Sequence, residues 1–268
     1  MKRQSTNDYS AMMFEKSAEL NCTTCRKRHC RFLLLFAALA FSCGLSQAEI
    51  TFDGSLGPKA TMTGPRYFIA PKLGQQKGDN LFYSFGRLNI GSGEVATFTG
   101  PATTTNIVSR VTGGASSWID GVIDTRKMPG ANFFLLNPNG VMFGSNAKIE
   151  VGGSFHVSTA DYITFPGENV RFLASLSGPS MLSISDPVAF GFLGTNAGLI
   201  SISSQGLTAS PQKTLSFVGG DVRITGATLV ARGGKINLAG LGAIEALVPI
   251  NSTAAGADRL RSQAALWM

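Results

Sequence analysis

The sequence has little charge and, after residue 48, no cysteine. Only 15% of its 268 residues are charged, and its four cysteines are Cys22, Cys25, Cys30 and Cys43. A mature protein that begins after residue 48 therefore has no disulfide bonds. The first 48 residues carry seven basic and three acidic residues, which leaves a formal charge of +3 on the other 220. This near balance removes the main reason to expect a nucleic-acid partner.

The sequence also has no apolar run long enough to span a bilayer as a helix. Its longest run, residues 32–41, is half the length that a transmembrane helix needs. Basic residues precede this run, and small residues stand three and one positions before Glu49. That order is typical of a secretory signal peptide. We therefore predict a leader over residues 1–48, export by the general secretion machinery and cleavage after Ala48.

Two other readings of the leader remain open. Cys22, Cys25, His29 and Cys30 have the spacing of a zinc site, although no fold is expected around them. Cys43 resembles a lipoprotein cysteine, which would anchor the protein instead of releasing it. The signal peptide is favoured over both, because a bulky residue stands two positions before Cys43 and the possible zinc ligands directly precede the signal core.

After residue 48 the sequence predicts short strands separated by glycines. All but one of the 32 glycines follow residue 48, and no convincing amphipathic helix occurs between residues 49 and 250. Alternation of apolar and polar residues predicts strands within residues 50–54, 148–151, 154–157, 199–202 and 235–238. The sequence therefore predicts an all-β protein.

A weak repeat of 21 or 22 residues marks the C-terminal half. The matched pairs are Ile200 with Val222, Ile202 with Ile224, Leu207 with Leu229, Leu215 with Ile236, Phe217 with Leu238, and Gly219 with Gly240. This period favours a solenoid of about ten β-coils over a β-sandwich with evenly spaced strands. Fourteen of the 18 phenylalanines follow residue 48, and we expect them to stack in the solenoid core.

The most specific segment contains Asn137, Pro138, Asn139 and Gly140 between two apolar strands. Proline at the second position and glycine at the fourth suit a type I turn, and asparagine at the first position accepts backbone hydrogen bonds. The four residues alone are only a favourable turn.

An ordered series of further segments surrounds this turn. They are residues 80–85, 93–98, 106–114, 119–121, 152–162, 188–193 and 215–222. With the turn, the series resembles the N-terminal secretion domain of filamentous haemagglutinin-like exoproteins, the secreted partners of bacterial two-partner secretion. The domain is also called the haemagglutination activity domain. The resemblance runs from about Ile50 to Leu241.

The resemblance implies a right-handed parallel β-helix with N-terminal capping strands, here over residues 49–248. It implies export from a Gram-negative bacterium, through the periplasm, to the cell surface or medium by an Omp85-type outer-membrane transporter with periplasmic recognition modules. Asn137, Pro138, Asn139 and Gly140 match the family's secretion motif, and Arg110 and Gly113 are secondary candidates. We expect no cofactor.

The chain departs from the family in two places. Many members carry a second motif, Asn-Pro-Asn-Leu, where this chain has residues 100–105 with a different sequence. The chain also ends in an Ala-rich tail, residues 249–268, where exoproteins usually continue for hundreds of residues. We therefore expect a truncated or frame-shifted member, with a stand-alone domain as the alternative.

Two other functions are alternatives to secretion. An enzyme that cleaves polysaccharide needs paired carboxylates, and Asp120 and Asp124 are spaced to share one face. No acidic cluster, metal site or catalytic histidine accompanies them, since we expect His156 at the surface. A glycan-binding adhesin would use exposed aromatics such as Tyr67 or Trp118, although Trp118 is expected to pack under the cap. We predict a non-enzymatic secretion domain.

Overall fold

The computed structural model describes residues 49–194 and 197–250. The predicted leader, the cleavage site at Ala48 and most of the tail lie outside these residues. The described part is all-β, and its one helical segment is a 3₁₀ turn at Pro71–Leu73. None of its helical residues forms a helix that could cross a membrane.

The described residues contain twenty-three strands. In chain order they are β1 (Glu49–Phe52), β2 (Ala60–Thr63), β3 (Arg66–Ile69), β4 (Gln75–Lys77), β5 (Asn80–Leu88), β6 (Val95–Phe98), β7 (Asn106–Val111), β8 (Ser117–Ile119), β9 (Val122–Asp124), β10 (Asn132–Leu136), β11 (Val141–Phe143), β12 (Lys148–Glu150), β13 (Phe155–Ser158), β14 (Tyr162–Thr164), β15 (Arg171–Leu173), β16 (Ala189–Leu193), β17 (Leu199–Ile202), β18 (Leu207–Thr208), β19 (Thr214–Gly219), β20 (Asp221–Ile224), β21 (Leu229–Val230), β22 (Lys235–Gly240) and β23 (Glu245–Pro249).

Most strands belong to a parallel β-solenoid of about six turns. Strands β5, β7, β10, β13, β19 and β22 pair in parallel as sheet 1. Strands β8, β11, β17 and β20 form sheet 2, and β3, β6, β9 and β12 form sheet 3. The chain visits the three sheets in turn, as in β7, β8, β9 and then β10. The predicted parallel β-helix is confirmed.

The N-terminal end carries the predicted capping strands. Strand β1 pairs antiparallel with both β2 and β5, and β4 also pairs antiparallel with β5. These strands extend sheet 1 beyond the first parallel coil. They therefore cover a strand edge that would otherwise be open to pairing with another chain.

Residues matched by the sequence repeat are paired on neighbouring parallel strands. Ile200 pairs with Val222, Leu207 with Leu229, and Leu215 with Ile236. Residues at equivalent positions of successive coils lie directly above one another, because parallel strands stack in register. The paired offsets are confirmed.

The predicted number of coils is wrong, for two physical reasons. The earlier coils are longer, since Asn80, Asn106 and Asn132 are equivalent residues separated by 26 positions. The chain also leaves the solenoid after β13 to form an antiparallel sheet of β15, β14, β16 and β23. Six turns rather than ten are the result.

Two hydrophobic cores hold the domain together. The first fills the solenoid and contains stacked rings such as Phe133 and Phe155, whose centroids are 5.7 Å apart. The second lies between the outer face of sheet 1 and the antiparallel sheet, where residues such as Phe82 meet Phe172. Sheet 1 is therefore covered on both faces, and all six residues of β7 are buried.

The expectation that His156 lies at the surface is wrong. Phe155 and Val157 point into the solenoid as the alternation requires, and His156 therefore points outward from sheet 1. That outer face is the one that the antiparallel sheet covers, so His156 is only 2% exposed.

Both aromatic residues named for a glycan site are also placed differently. Tyr67 is fully buried, and its hydroxyl donates a hydrogen bond to Glu94 Oε2 at 3.0 Å. Trp118 is not packed under the cap, because it is the outward residue of the three-residue strand β8 and is 43% exposed.

Candidate functional site

The turn after β10 has the hydrogen bonds expected of its sequence. The Gly140 N–H donates to the Asn137 main-chain oxygen at 3.0 Å and closes the four-residue turn. The Asn139 N–H donates to Asn137 Oδ1, also at 3.0 Å. Both hydrogen bonds join residues within the motif, so the turn is defined locally.

The side chain of Asn137 ties the turn to the preceding coil. Its Nδ2 group donates to the Ala115 main-chain oxygen at 3.1 Å and to Ser117 Oγ at 3.0 Å. The Asn137 N–H donates to the Ser158 main-chain oxygen on the following coil. Asn137 is fully buried, so its amide acts within the fold.

Gly140 and Pro138 lie against the next coil. Gly140 has a φ of +110° and a Cβ at this position would lie 2.8 Å from the Leu199 oxygen, so only glycine fits without strain. The Gly198 N–H donates to the Pro138 main-chain oxygen at 2.9 Å. Asn139 is the one exposed residue of the four, and Pro138 is half-buried.

Arg110, a secondary candidate, lies on the strand next to the turn, where it pairs with Leu136. Its guanidinium joins three parts of the fold and is 3% exposed. It donates hydrogen bonds to Ser84 Oγ at 2.7 Å, the Leu173 main-chain oxygen at 2.7 Å, Ser180 Oγ at 2.8 Å and Ser55 Oγ at 3.0 Å. It thereby fastens the cap and the antiparallel sheet to the solenoid.

The charge of Arg110 is balanced indirectly. Burial lowers the pKa of the guanidinium, and the nearby Asp53 opposes this shift. Burial would raise the pKa of Asp53, but hydrogen bonds from groups that include Ser84 and Thr112 hold it below its ordinary value. Arg110 also lies over the Phe172 ring at 4.7 Å, a cation–π contact.

Gly113, the other secondary candidate, lies where two coils approach each other closely. A Cβ on Gly113 would overlap the Gly86 main-chain oxygen of the preceding coil. Gly113 is exposed, but its backbone position leaves no room for a side chain. The geometry therefore gives both Arg110 and Gly113 a part in holding the fold.

The sequence matches one known protein family over most of its length. The family model described as "TPS secretion domain" matches residues 48–265. The chain belongs to the TPS secretion domain family. No curated protein matches it. A TPS secretion domain marks a two-partner-secretion exoprotein of a Gram-negative bacterium, exported to the surface or medium, and implies an outer-membrane transporter as partner.

A ladder of asparagines, which the repeat in the sequence did not predict, connects strands β5, β7 and β10 of the TPS domain. Asn106 Nδ2 donates to Asn80 Oδ1 at 2.8 Å, and Asn132 Nδ2 donates to Asn106 Oδ1 at 3.0 Å. Asn80 also donates to the main-chain oxygens of Ser183 and Ser185. The regular spacing of 26 residues was visible in the sequence, but it differs from the period that was found further along the chain.

Residues 100–105, which replace the family's second motif, also form a turn. The Thr104 N–H donates to the Pro101 main-chain oxygen at 3.0 Å. Thr104 is buried, and its hydroxyl has no hydrogen-bond partner. The domain therefore keeps a turn at this corner without the asparagine amides of the family motif.

Asp120 and Asp124, the two carboxylates expected to share one face, are each bound to a different partner. Asp120 accepts hydrogen bonds from Asn146 at a coil corner, at 2.8 and 3.1 Å. Asp124 instead pairs with Arg126 at 3.0 Å, and Arg126 also contacts Glu150 at 2.7 Å. Burial would raise the pKa of Asp124, but Arg126 holds it below its ordinary value. Such a carboxylate is a poor general acid.

No group of three or more His, Cys, Asp or Glu side chains among residues 49–194 and 197–250 could hold a metal ion. The TPS family is known as a secretion and adhesin domain rather than an enzyme.

Proposed function

We propose that the turn of Asn137 to Gly140 is the feature by which an Omp85-type transporter recognises this chain. The observation that carries the proposal is the division of roles within the turn. Asn137 and Gly140 are buried and fix its shape, whereas Asn139 presents an amide to solvent. An exposed amide offers both a donor and an acceptor to a partner.

The turn also suits recognition before the coils have formed. Its two internal hydrogen bonds connect residues two and three positions apart. The contacts with Ser117, Ser158 and Gly198 require distant parts of the chain. A chain that crosses the periplasm unfolded can therefore form this turn alone, because only local residues are needed.

On this proposal, a signal peptide brings the chain into the periplasm and the transporter's periplasmic modules bind the turn. The solenoid then forms outside the cell. The absence of cysteine after residue 48 agrees with this route, since a disulfide would close a loop in a chain that must be threaded unfolded.

Co-expression with the cognate transporter tests the proposal. The wild-type chain should be released to the medium, and Asn139→Ile should remain in the periplasm. Asn146→Ile is a matched control, because Asn146 is exposed and also occupies the third position of a coil-corner turn. Equal release of Asn139→Ile and wild type would exclude the turn from recognition.

Binding of glycans by the domain is a second candidate, which the exposure of Trp118 favours. This ring is 43% exposed on sheet 2 and could stack on a sugar. A glycan array with purified protein tests this function, and loss of the signal in Trp118→Ala would support it. Binding that Trp118→Ala leaves unchanged would place the site elsewhere.

A further inference from the structure

The turn contains a chemically reactive pair, Asn139 followed by Gly140. It is the one Asn-Gly pair in the sequence. In such a pair the glycine nitrogen can attack the asparagine side-chain carbon, since glycine has no Cβ to hinder the approach. We propose that Asn139 is a deamidation site that the folded domain protects, so that the unfolded chain loses this amide much faster than the folded protein.

The reaction balances without an oxidant or cofactor. Hydroxide removes the proton from the Gly140 nitrogen, which forms a bond to Cγ of Asn139. The Cγ–Nδ2 bond breaks, and the nitrogen leaves as ammonia after protonation by water. Water then opens the five-membered imide at either carbonyl, which leaves aspartate or isoaspartate at position 139.

The folded structure blocks the attacking atom. The Gly140 N–H is already engaged with the Asn137 main-chain oxygen at 3.0 Å. The next coil also covers it, because a Cβ built on Gly198 would lie 2.5 Å from the Gly140 nitrogen. Hydroxide therefore cannot reach this nitrogen until the coil opens.

The structure also restrains the atom that is attacked. Asn137 Oδ1 accepts hydrogen bonds from the Asn139 N–H at 3.0 Å and from Asn139 Nδ2 at 3.4 Å. These bonds hold the side chain against the start of the turn. Asn139 is nevertheless exposed, so its protection comes from the turn and the neighbouring coil and not from burial of the side chain.

The effect of this reaction on export rests on the proposed function. A chain that remains unfolded loses the Asn139 amide, which is the group that the transporter is proposed to bind. Chains delayed before export would then lose recognition progressively, whereas folding after export preserves the residue.

The proposal is tested on purified protein without any transporter. Folded protein and protein in concentrated urea are incubated in the same mildly alkaline buffer, and peptides containing Asn139 are quantified by mass spectrometry. We expect deamidation at Asn139 to be slower in the folded state by about tenfold or more, because reaction then requires local opening.

Two controls make the result specific. Asn146 is also exposed but is followed by Ala147, so it should react slowly in both conditions. In urea, Gly140→Ala should slow the reaction at Asn139, because its Cβ crowds the nitrogen. Equal rates at Asn139 in the folded and unfolded protein would overturn the proposal, as would a rate in urea no greater than that of Asn146. Either result leaves the transporter proposal untouched.

Discussion

The imidazole of His156 stacks on the ring of Phe134, with centroids 4.6 Å apart and planes within 6° of parallel. The pair lies on the outer face of sheet 1, in the region that the antiparallel sheet covers. Nδ1 of His156 is buried without a hydrogen-bond partner. Burial lowers the pKa of His156 from 6.5 to about 4. The domain therefore folds with this histidine neutral.

Acid should destabilise the domain through His156. Between pH 6.5 and pH 4 the unfolded chain binds a proton here that the folded protein does not, so stability falls as the pH falls. The shift corresponds to about 3 kcal/mol of unfolding free energy across that window. Urea unfolding at several pH values measures it. His156→Phe should keep the ring stack, and its unfolding free energy should depend less steeply on pH. The carboxylates contribute equally to both proteins, so the difference in slope reports His156 alone. Identical slopes would contradict a buried neutral histidine.

Replacing Arg110 with lysine should destabilise the domain by about 3 kcal/mol. Lysine keeps the charge, but its ammonium group cannot bridge Ser55, Ser84 and Leu173 together. Chemical denaturation measures the loss of stability, and limited proteolysis should show new cleavage in residues 174–188.

Arg87→Lys is the control, because the ion pair of Arg87 with Glu49 is half-exposed and the substitution should change stability by less than about 1 kcal/mol. Equal losses for the two variants would refute a bridging role.

The asparagine ladder predicts a similar loss for Asn106→Leu. Leucine has nearly the same volume but leaves Asn80 Oδ1 and Asp186 Oδ1 without the donor that Asn106 supplies. Asn80 is buried, whereas Asp186 is exposed and water can replace its lost donor. An unsatisfied buried polar group costs about 1–3 kcal/mol, so we expect a loss of about that size in thermal or urea unfolding. Asn146→Leu loses only the exposed hydrogen bond from Asn146 Nδ2 to Asp120, so it should have little effect. A neutral Asn106→Leu would show that the ladder adds no stability.

The sequence predicts the stacking of coils well, because stacking depends on local repetition. Leu207 and Leu229 can be matched by eye, and in a parallel solenoid such a match is a contact. The number of coils cannot be read in the same way. Nothing local shows that residues 162–193 leave the solenoid, since their strands have the same short apolar pattern as those of the coils.

The errors at His156 and Trp118 have one common cause. Alternation tells which face of a sheet a residue points to, but not whether another sheet covers that face. His156 points outward and is buried by the antiparallel sheet, whereas Trp118 points outward on sheet 2 and stays exposed.

At the candidate site, turn chemistry predicted the hydrogen bonds of Asn137 and Gly140. The burial of Arg110 depends on distant residues such as Ser180 and could not be predicted.

The most direct test of transporter recognition combines secretion and stability for Asn139→Ala. The variant removes an exposed amide, so its unfolding free energy should stay within about 0.5 kcal/mol of wild type. If the transporter binds this amide, losing those hydrogen bonds should weaken recognition and reduce release to the medium by about tenfold. Undiminished release of an equally stable Asn139→Ala protein would contradict recognition of the Asn139 amide by the transporter.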